Sequence, residues 1–263
     1  MQKIAISGKG GVGKSTLAAS LAYVFAERGQ HVYAIDADPD GNLAAALGMP
    51  PDLAAQARPI SEMDDLIEER TGARPGSGAT FFKLNPRVDD IPERFSVEYQ
   101  GVHLLLMGTI SAGGSGCVCP ESALLRALVT HLTLRRSEVI VLDMEAGVEH
   151  LGRATASAVD AFIVVVEPGL RSLQTARSVV KLARDIGVRS VFAVGNKARG
   201  SSDESFLREH LGDLPLLGVI PFSQEIIEAD ITGASPFHTV PALQEAVRDI
   251  ADRLMAWPAG ESH

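Results

Sequence analysis

A chain of 263 residues with 46% hydrophobic content can bury a large core, and at this length an α/β architecture fits one domain spanning residues 1–263. The 33 acidic against 24 basic residues leave a net charge of −9, which argues against a nucleic-acid partner, since lysine and arginine must displace the counterions of the phosphates. No apolar run reaches the roughly 18 residues of a membrane span, and a first strand opening at Lys3 leaves no room for a signal peptide, so a cytoplasmic protein is expected.

The first predicted strand, Lys3–Ser7, runs into Gly8-Lys9-Gly10-Gly11-Val12-Gly13-Lys14-Ser15-Thr16 and then a helix over Ser15–Arg28. Gly8, Gly13, Lys14 and Ser15 meet the spacing of a phosphate-binding loop, in the strand–loop–helix setting that the motif requires. Glycines let backbone N–H groups turn onto phosphates, and the helix N-terminus adds partial positive charge. Lys14 is expected to reach the β- and γ-phosphates and the Ser15 hydroxyl to ligate Mg²⁺. A second strand, His31–Asp36, opens into the acidic loop Asp36-Ala37-Asp38-Pro39-Asp40-Gly41-Asn42, and a helix is predicted over Ser61–Arg70. From Arg74 to Gln100 the pattern is weakest: Arg74–Gly78 reads as a loop, and Asn85–Pro92 is expected to break any regular element.

Beyond it lie a strand over Val102–Gly108 and the loop Gly113-Gly114-Ser115-Gly116-Cys117-Val118-Cys119. Pro120 suits the first position of a helix running to Leu134, and a helix N-terminus favours thiolate at the neighbouring cysteines. Two thiolates cannot complete a tetrahedral site, whereas a dimer sharing one ion would supply four, and both Zn²⁺ and Ni²⁺ accept sulfur. The next strand, Glu138–Asp143, carries four apolar residues ending in acid, so Asp143 is expected to hold the Mg²⁺ or its water. Gly147 gives the following segment freedom to approach a γ-phosphate. Strands over Ala161–Glu167, Ser190–Asn196 and Leu216–Ile220 alternate with helices over Ser172–Ile186, Glu204–Leu211, Gln224–Ala229 and Ala242–Trp257. Continuous Val/Ile/Leu strands alternating with helices predict a doubly wound, mainly parallel sheet with ligands at the strands' C-terminal ends.

The base is expected to be adenine. Guanine-specific loops read N-K-x-D, but Asn196-Lys197-Ala198-Arg199 puts a donor-only guanidinium where the carboxylate should stand. Asn196 and Lys197 on one side, and Pro221 and Phe222 after the last strand, are the expected base pocket.

The unbroken K-G-G-x-G-K-S-T run resembles the deviant Walker A family of P-loop ATPases, which includes division-site and plasmid-partition ATPases, the nitrogenase iron protein and metal-centre maturation ATPases. That resemblance implies ATP hydrolysis by a homodimer, with Lys9 crossing to the partner's nucleotide, Asp38 orienting or deprotonating the attacking water, and Asp36 beside the Mg²⁺ shell. Together with C-x-C and the segment Asp143-Met144-Glu145-Ala146-Gly147, the loop resembles the carbon monoxide dehydrogenase maturation ATPases in particular. Proteins of that family support nickel insertion into the iron–nickel–sulfur site of their client enzyme, which implies a dimer-shared nickel or zinc site at Cys117 and Cys119. The competing readings are a positioning ATPase, a nitrogenase-iron-protein-like donor and an Fe–S scaffold ATPase. The first lacks a basic surface helix here, and the other two place their cysteines differently from a C-x-C with no cysteine after Cys119.

Overall fold

Val139–Met144 and Ala161–Val166 are buried at every position, as strands covered on both faces must be. The computed structural model describes residues 2–38, 40–78, 81–108, 119–134, 138–145 and 159–257. Its strands are β1 (Lys3–Gly8), β2 (Val32–Ala37), β3 (Val97–Tyr99), β4 (Val102–Leu106), β5 (Val139–Met144), β6 (Ala161–Val166), β7 (Val191–Ala198) and β8 (Leu216–Pro221). They form one sheet in the order β3-β4-β2-β5-β1-β6-β7-β8. Every neighbouring pair is parallel except β3 with β4.

Side chains alternate across the sheet. Ile4, Ile6, Val141 and Ile163 join one core, under helices α1 (Lys14–Glu27) and α7 (Pro241–Ala256). Ala5, Ile140, Leu142 and Phe162 join the other, under α2 (Asp64–Thr71), α3 (Pro120–Leu134) and α4 (Leu170–Asp185). Two further helices, α5 (Ser201–His210) and α6 (Gln224–Thr232), flank the β7–β8 end. The chain is therefore a doubly wound α/β protein. Among the described residues, no helix is long and apolar enough to cross a membrane.

The stretch before β4 departs from expectation. Ile91–Phe95 is a short helix, with Pro92 in its first turn, where a missing N–H removes no helical bond. Arg70 grips Asp90 through two bonds of 2.9 and 2.7 Å and Arg94 adds a third at 2.9 Å, holding that carboxyl well below the usual range. β3 then pairs with β4 through the two-residue turn Gln100-Gly101, whose φ values of 49° and 80° suit the twist of a hairpin. β4 itself ends at Leu106, short of the expected Gly108.

Strand register assembles the candidate site. Asp36 of β2 lies opposite Asp143 of β5, and Ile6 of β1 lies on the other side of Asp143. Thus the first acidic loop, the second acid and the phosphate-binding loop leave three adjacent strands at the same end.

Candidate nucleotide-binding site

The loop between β1 and α1 is shaped by close backbone approach. A Cβ on Gly8 would stand 2.6 Å from the Val165 carbonyl oxygen, and one on Gly13 would collide with the Asn196 side-chain amide. Gly13 also takes the left-handed φ of 94° that starts α1. Val12 anchors the loop by burying its side chain in the core. From β7, Asn196 Nδ2 donates to the Val12 carbonyl at 2.7 Å and Lys197 Nζ donates to the Gly11 carbonyl at 2.6 Å. Lys197 Nζ also pairs with Glu167 Oε1 at 2.6 Å. Asn196 stands at the end of β7, with its amide turned to the loop and away from the base contact expected of it. Its Oδ1 accepts the Lys197 N–H at 2.9 Å.

Three carboxylates meet one lysine beneath this loop. Lys14 Nζ is 3.1 Å from Asp38 Oδ2, with both side chains buried. Asp36 accepts the Asp38 N–H on Oδ1 at 3.2 Å and the Leu43 N–H on Oδ2 at 3.0 Å, so it braces the acidic loop. Burial nevertheless pushes its carboxyl up to about 6. Asp143 is fully buried, and neither of its oxygens has a hydrogen-bond partner of good geometry among the described residues. Burial pushes it up to about 7, against the opposing pull of the Ser15 hydroxyl and Lys14. An unsatisfied buried carboxylate, a neighbouring hydroxyl and an excess of acid over base form an oxygen donor set that suits a hard divalent cation.

The cleft above these groups encloses about 430 Å³. Gly10, Gly13 and Lys14 line one side, and Ile226, Ile227 and Pro236 line the other. Pro221 and Phe222, expected at the base, are not among its lining residues, and Phe222 is exposed. A second cavity of about 350 Å³, between α4 and the end of α5, contains none of the phosphate-loop residues. Thr16 and Ser15 line the nucleotide-side cleft. Lys9 is exposed, and its ammonium has no partner among the described residues. Ser7 Oγ donates to the Glu145 carbonyl at 2.8 Å, tying the root of the loop to the segment that follows β5.

Cys119 caps α3. Its carbonyl accepts the Ala123 N–H at 3.0 Å, its Sγ accepts the Ser122 N–H at 3.4 Å, and Ser122 Oγ lies 3.0 Å from the sulfur. Cys117 and Gly147 lie outside the described residues. Among the described residues, no group of three or more His, Cys, Asp or Glu side chains is placed to hold a metal ion. Glu167 belongs to no motif and was invisible in the sequence; it meets Lys197 only because β6 pairs with β7, Val166 opposite Gly195.

Residues 3–237 match the family described as CobQ/CobB/MinD/ParA nucleotide binding domain. The chain is 50% identical over 254 residues to the carbon monoxide dehydrogenase accessory protein CooC of Rhodospirillum rubrum, covering 97% of this chain and 95% of that protein. An uncharacterised ATP-binding protein of Methanocaldococcus jannaschii is 45% identical over 234 residues, covering 88% and 89%. Among solved structures, the MinD cell division protein of Aquifex aeolicus superposes with a TM-score of 0.67 at 23% identity over 98% of each chain. MinD complexed with Mg-ADP from Pyrococcus horikoshii superposes with a TM-score of 0.66 at 20% identity over 97% of each. At such identities the structural likeness shows the fold.

Proposed function

Because the chain belongs to the CobQ/CobB/MinD/ParA nucleotide-binding family and, within it, to the CooC group of carbon monoxide dehydrogenase accessory proteins, we propose that it is a Mg²⁺-dependent ATPase that supports nickel insertion into that enzyme. The observation that carries the ATPase reading is Asp143, buried beside the Lys14–Asp38 pair at the phosphate loop with no hydrogen-bond partner of good geometry among the described residues. Loop amides from Gly10 to Thr16 cradle the phosphates, and Lys14 neutralises the β- and γ-phosphates. A γ-phosphate competes with Asp38 for the Lys14 ammonium. Asp38, released from that pair, accepts a proton-side bond from the attacking water and aligns it with the β–γ bond, which breaks to give ADP and phosphate. Ser15 and Asp143, with Asp36 behind them, would hold Mg²⁺, which supplies charge neutralisation to the phosphates.

The protein works as one domain and as a homodimer in the cytoplasm. Lys9, exposed and with no ammonium partner among the described residues, crosses to the nucleotide of the second copy. Nickel is cargo in this reading. Cys117 and Cys119 from two copies supply four sulfurs to one ion, Ni²⁺ or Zn²⁺, and hydrolysis changes the separation of the two C-x-C loops. Cys119 at the head of α3 supports this, since its sulfur stands at the helix start, where it accepts the Ser122 N–H at 3.4 Å.

The test is metal content and client activation in one series. Purified dimer should hold about one ion per pair of chains, following the four-ligand count of a closed sulfur site. Cys117→Ser and Cys119→Ser should lose it, fail to activate a nickel-dependent carbon monoxide dehydrogenase at limiting nickel, and keep ATP binding. Full activation by the double variant would remove the thiols from the function.

A further inference from the structure

Lys197 adopts a φ of 58°, a left-handed conformation uncommon for a side chain of this kind. Such backbone persists where surrounding bonds over-determine it, and three do so here. Asn196 Oδ1 accepts the Lys197 N–H at 2.9 Å, while Lys197 Nζ reaches the Gly11 carbonyl and Glu167 Oε1, each at 2.6 Å. Glu167 is itself fixed at its backbone, where its N–H is donated to Ser172 Oγ at 3.0 Å at the start of α4. An ordinary surface ion pair contributes little and gives no reason for a lysine to take a left-handed turn. Its second bond, to a loop carbonyl, does.

A trans peptide holds C=O and the following N–H on opposite sides. A bond that fixes the Gly11 carbonyl therefore also fixes the Val12 N–H, which closes the loop turn on the Lys9 carbonyl at 3.3 Å. The bond from Asn196 to the Val12 carbonyl likewise fixes the Gly13 N–H, which has no partner among the described residues. The two side chains at the end of β7 thus set the direction of consecutive peptide planes in the phosphate loop.

We propose that Glu167 and Lys197 form a strut that presets the phosphate loop: the Glu167 carboxylate holds the Lys197 ammonium against the Gly11 carbonyl, so that both act as positioning residues for a bound triphosphate chain and not as readers of the base. The proposal rests on the reading of the cleft as a nucleotide site. Glu167 gains a role that no motif assigns it, and Lys197 moves from the base pocket to the phosphate end.

The test compares Mg²⁺-dependent binding of ATP, GTP and inorganic tripolyphosphate. Lys197→Met should weaken all three by a common factor of about 5 to 10, the share of a charged hydrogen bond left after partial exposure is allowed for. Glu167→Gln should weaken them by about 2- to 3-fold, because the amide oxygen still accepts. Lys197→Arg should recover most of the loss. Lys197→Gly relieves the left-handed backbone while deleting the amine, so it must show the same uniform loss even if Lys197→Met folds poorly. Unchanged affinity for all three ligands overturns the strut, as does a loss confined to ATP with tripolyphosphate unaffected, which would make Lys197 a base contact. Failure of the unaltered protein to bind any of the three overturns the nucleotide reading and the strut with it.

Discussion

Asp143→Asn isolates the cost of the buried acid. In the folded chain this carboxyl is fully buried with no hydrogen-bond partner of good geometry among the described residues, and burial lifts it from 3.8 to about 7. Asp36, opposite it in β2, is lifted to about 6, and its charge adds to the rise at Asp143. Below about pH 4 both folded and unfolded states are protonated and there is no penalty. Between about pH 4 and 7 the unfolded carboxyl ionises first, so stability falls as pH rises, and it levels off above the folded value. The rise from 3.8 to about 7 corresponds to about 4 kcal/mol at 1.36 kcal/mol per pH unit; relaxation and sharing with Asp36 leave on the order of 2 to 4 kcal/mol. Urea unfolding in EDTA should therefore show Asp143→Asn more stable than the unaltered chain by that amount near about pH 8, with a flatter dependence on pH. Adding Mg²⁺ and ATP should invert the order, because only the unaltered site gains ligand stabilisation. A variant less stable than its parent in EDTA at alkaline pH would refute the reasoning.

Two further variants probe the loop. Gly13→Ala adds a Cβ where φ is 94° and the Asn196 amide already stands, so it should cost about 1 to 3 kcal/mol in unfolding and abolish measurable ATP binding by calorimetry; parental affinity would contradict the close approach. Lys9→Ala should leave ADP affinity within about 2-fold, since an exposed cation with no partner among the described residues contributes little to its own subunit, while ATP-driven dimers fall in light scattering; normal dimers would end the cross-subunit role.

The strands were legible because both faces of the sheet are covered. Val139-Ile140-Val141-Leu142 and Ala161–Val166 are unbroken apolar runs, and the read and observed ends of their strands differ by at most a residue. α3 begins at Pro120 as read, since that ring favours a first helical position. β3 was missed because Val97-Glu98-Tyr99 is too short to show a period and Gln100-Gly101 lacks the Asn-Gly signature of its turn. The phosphate loop and both acids were readable from local spacing. The isolation of Asp143 was not, because it depends on the register of β5 between β1 and β2. The same holds for Glu167, whose ion-pair partner comes from β7. The metal role of both C-x-C cysteines is a proposal, with Cys117 outside the described residues.

The unpartnered acid has a consequence for folding fidelity. The apolar run Val139-Ile140-Val141-Leu142 offers nearly the same hydrophobicity to either face, so burial alone discriminates weakly between pairings of β5 that differ by one residue. Such a slip would carry Asp143 to the opposite face, among Phe162 and the side chains under α3, with neither Lys14 nor the Ser15 hydroxyl to offset its charge. One costly carboxylate thereby marks the correct alignment of an otherwise ambiguous strand. The fraction of a preparation able to bind nucleotide is then also a count of the molecules whose central strands have paired in register.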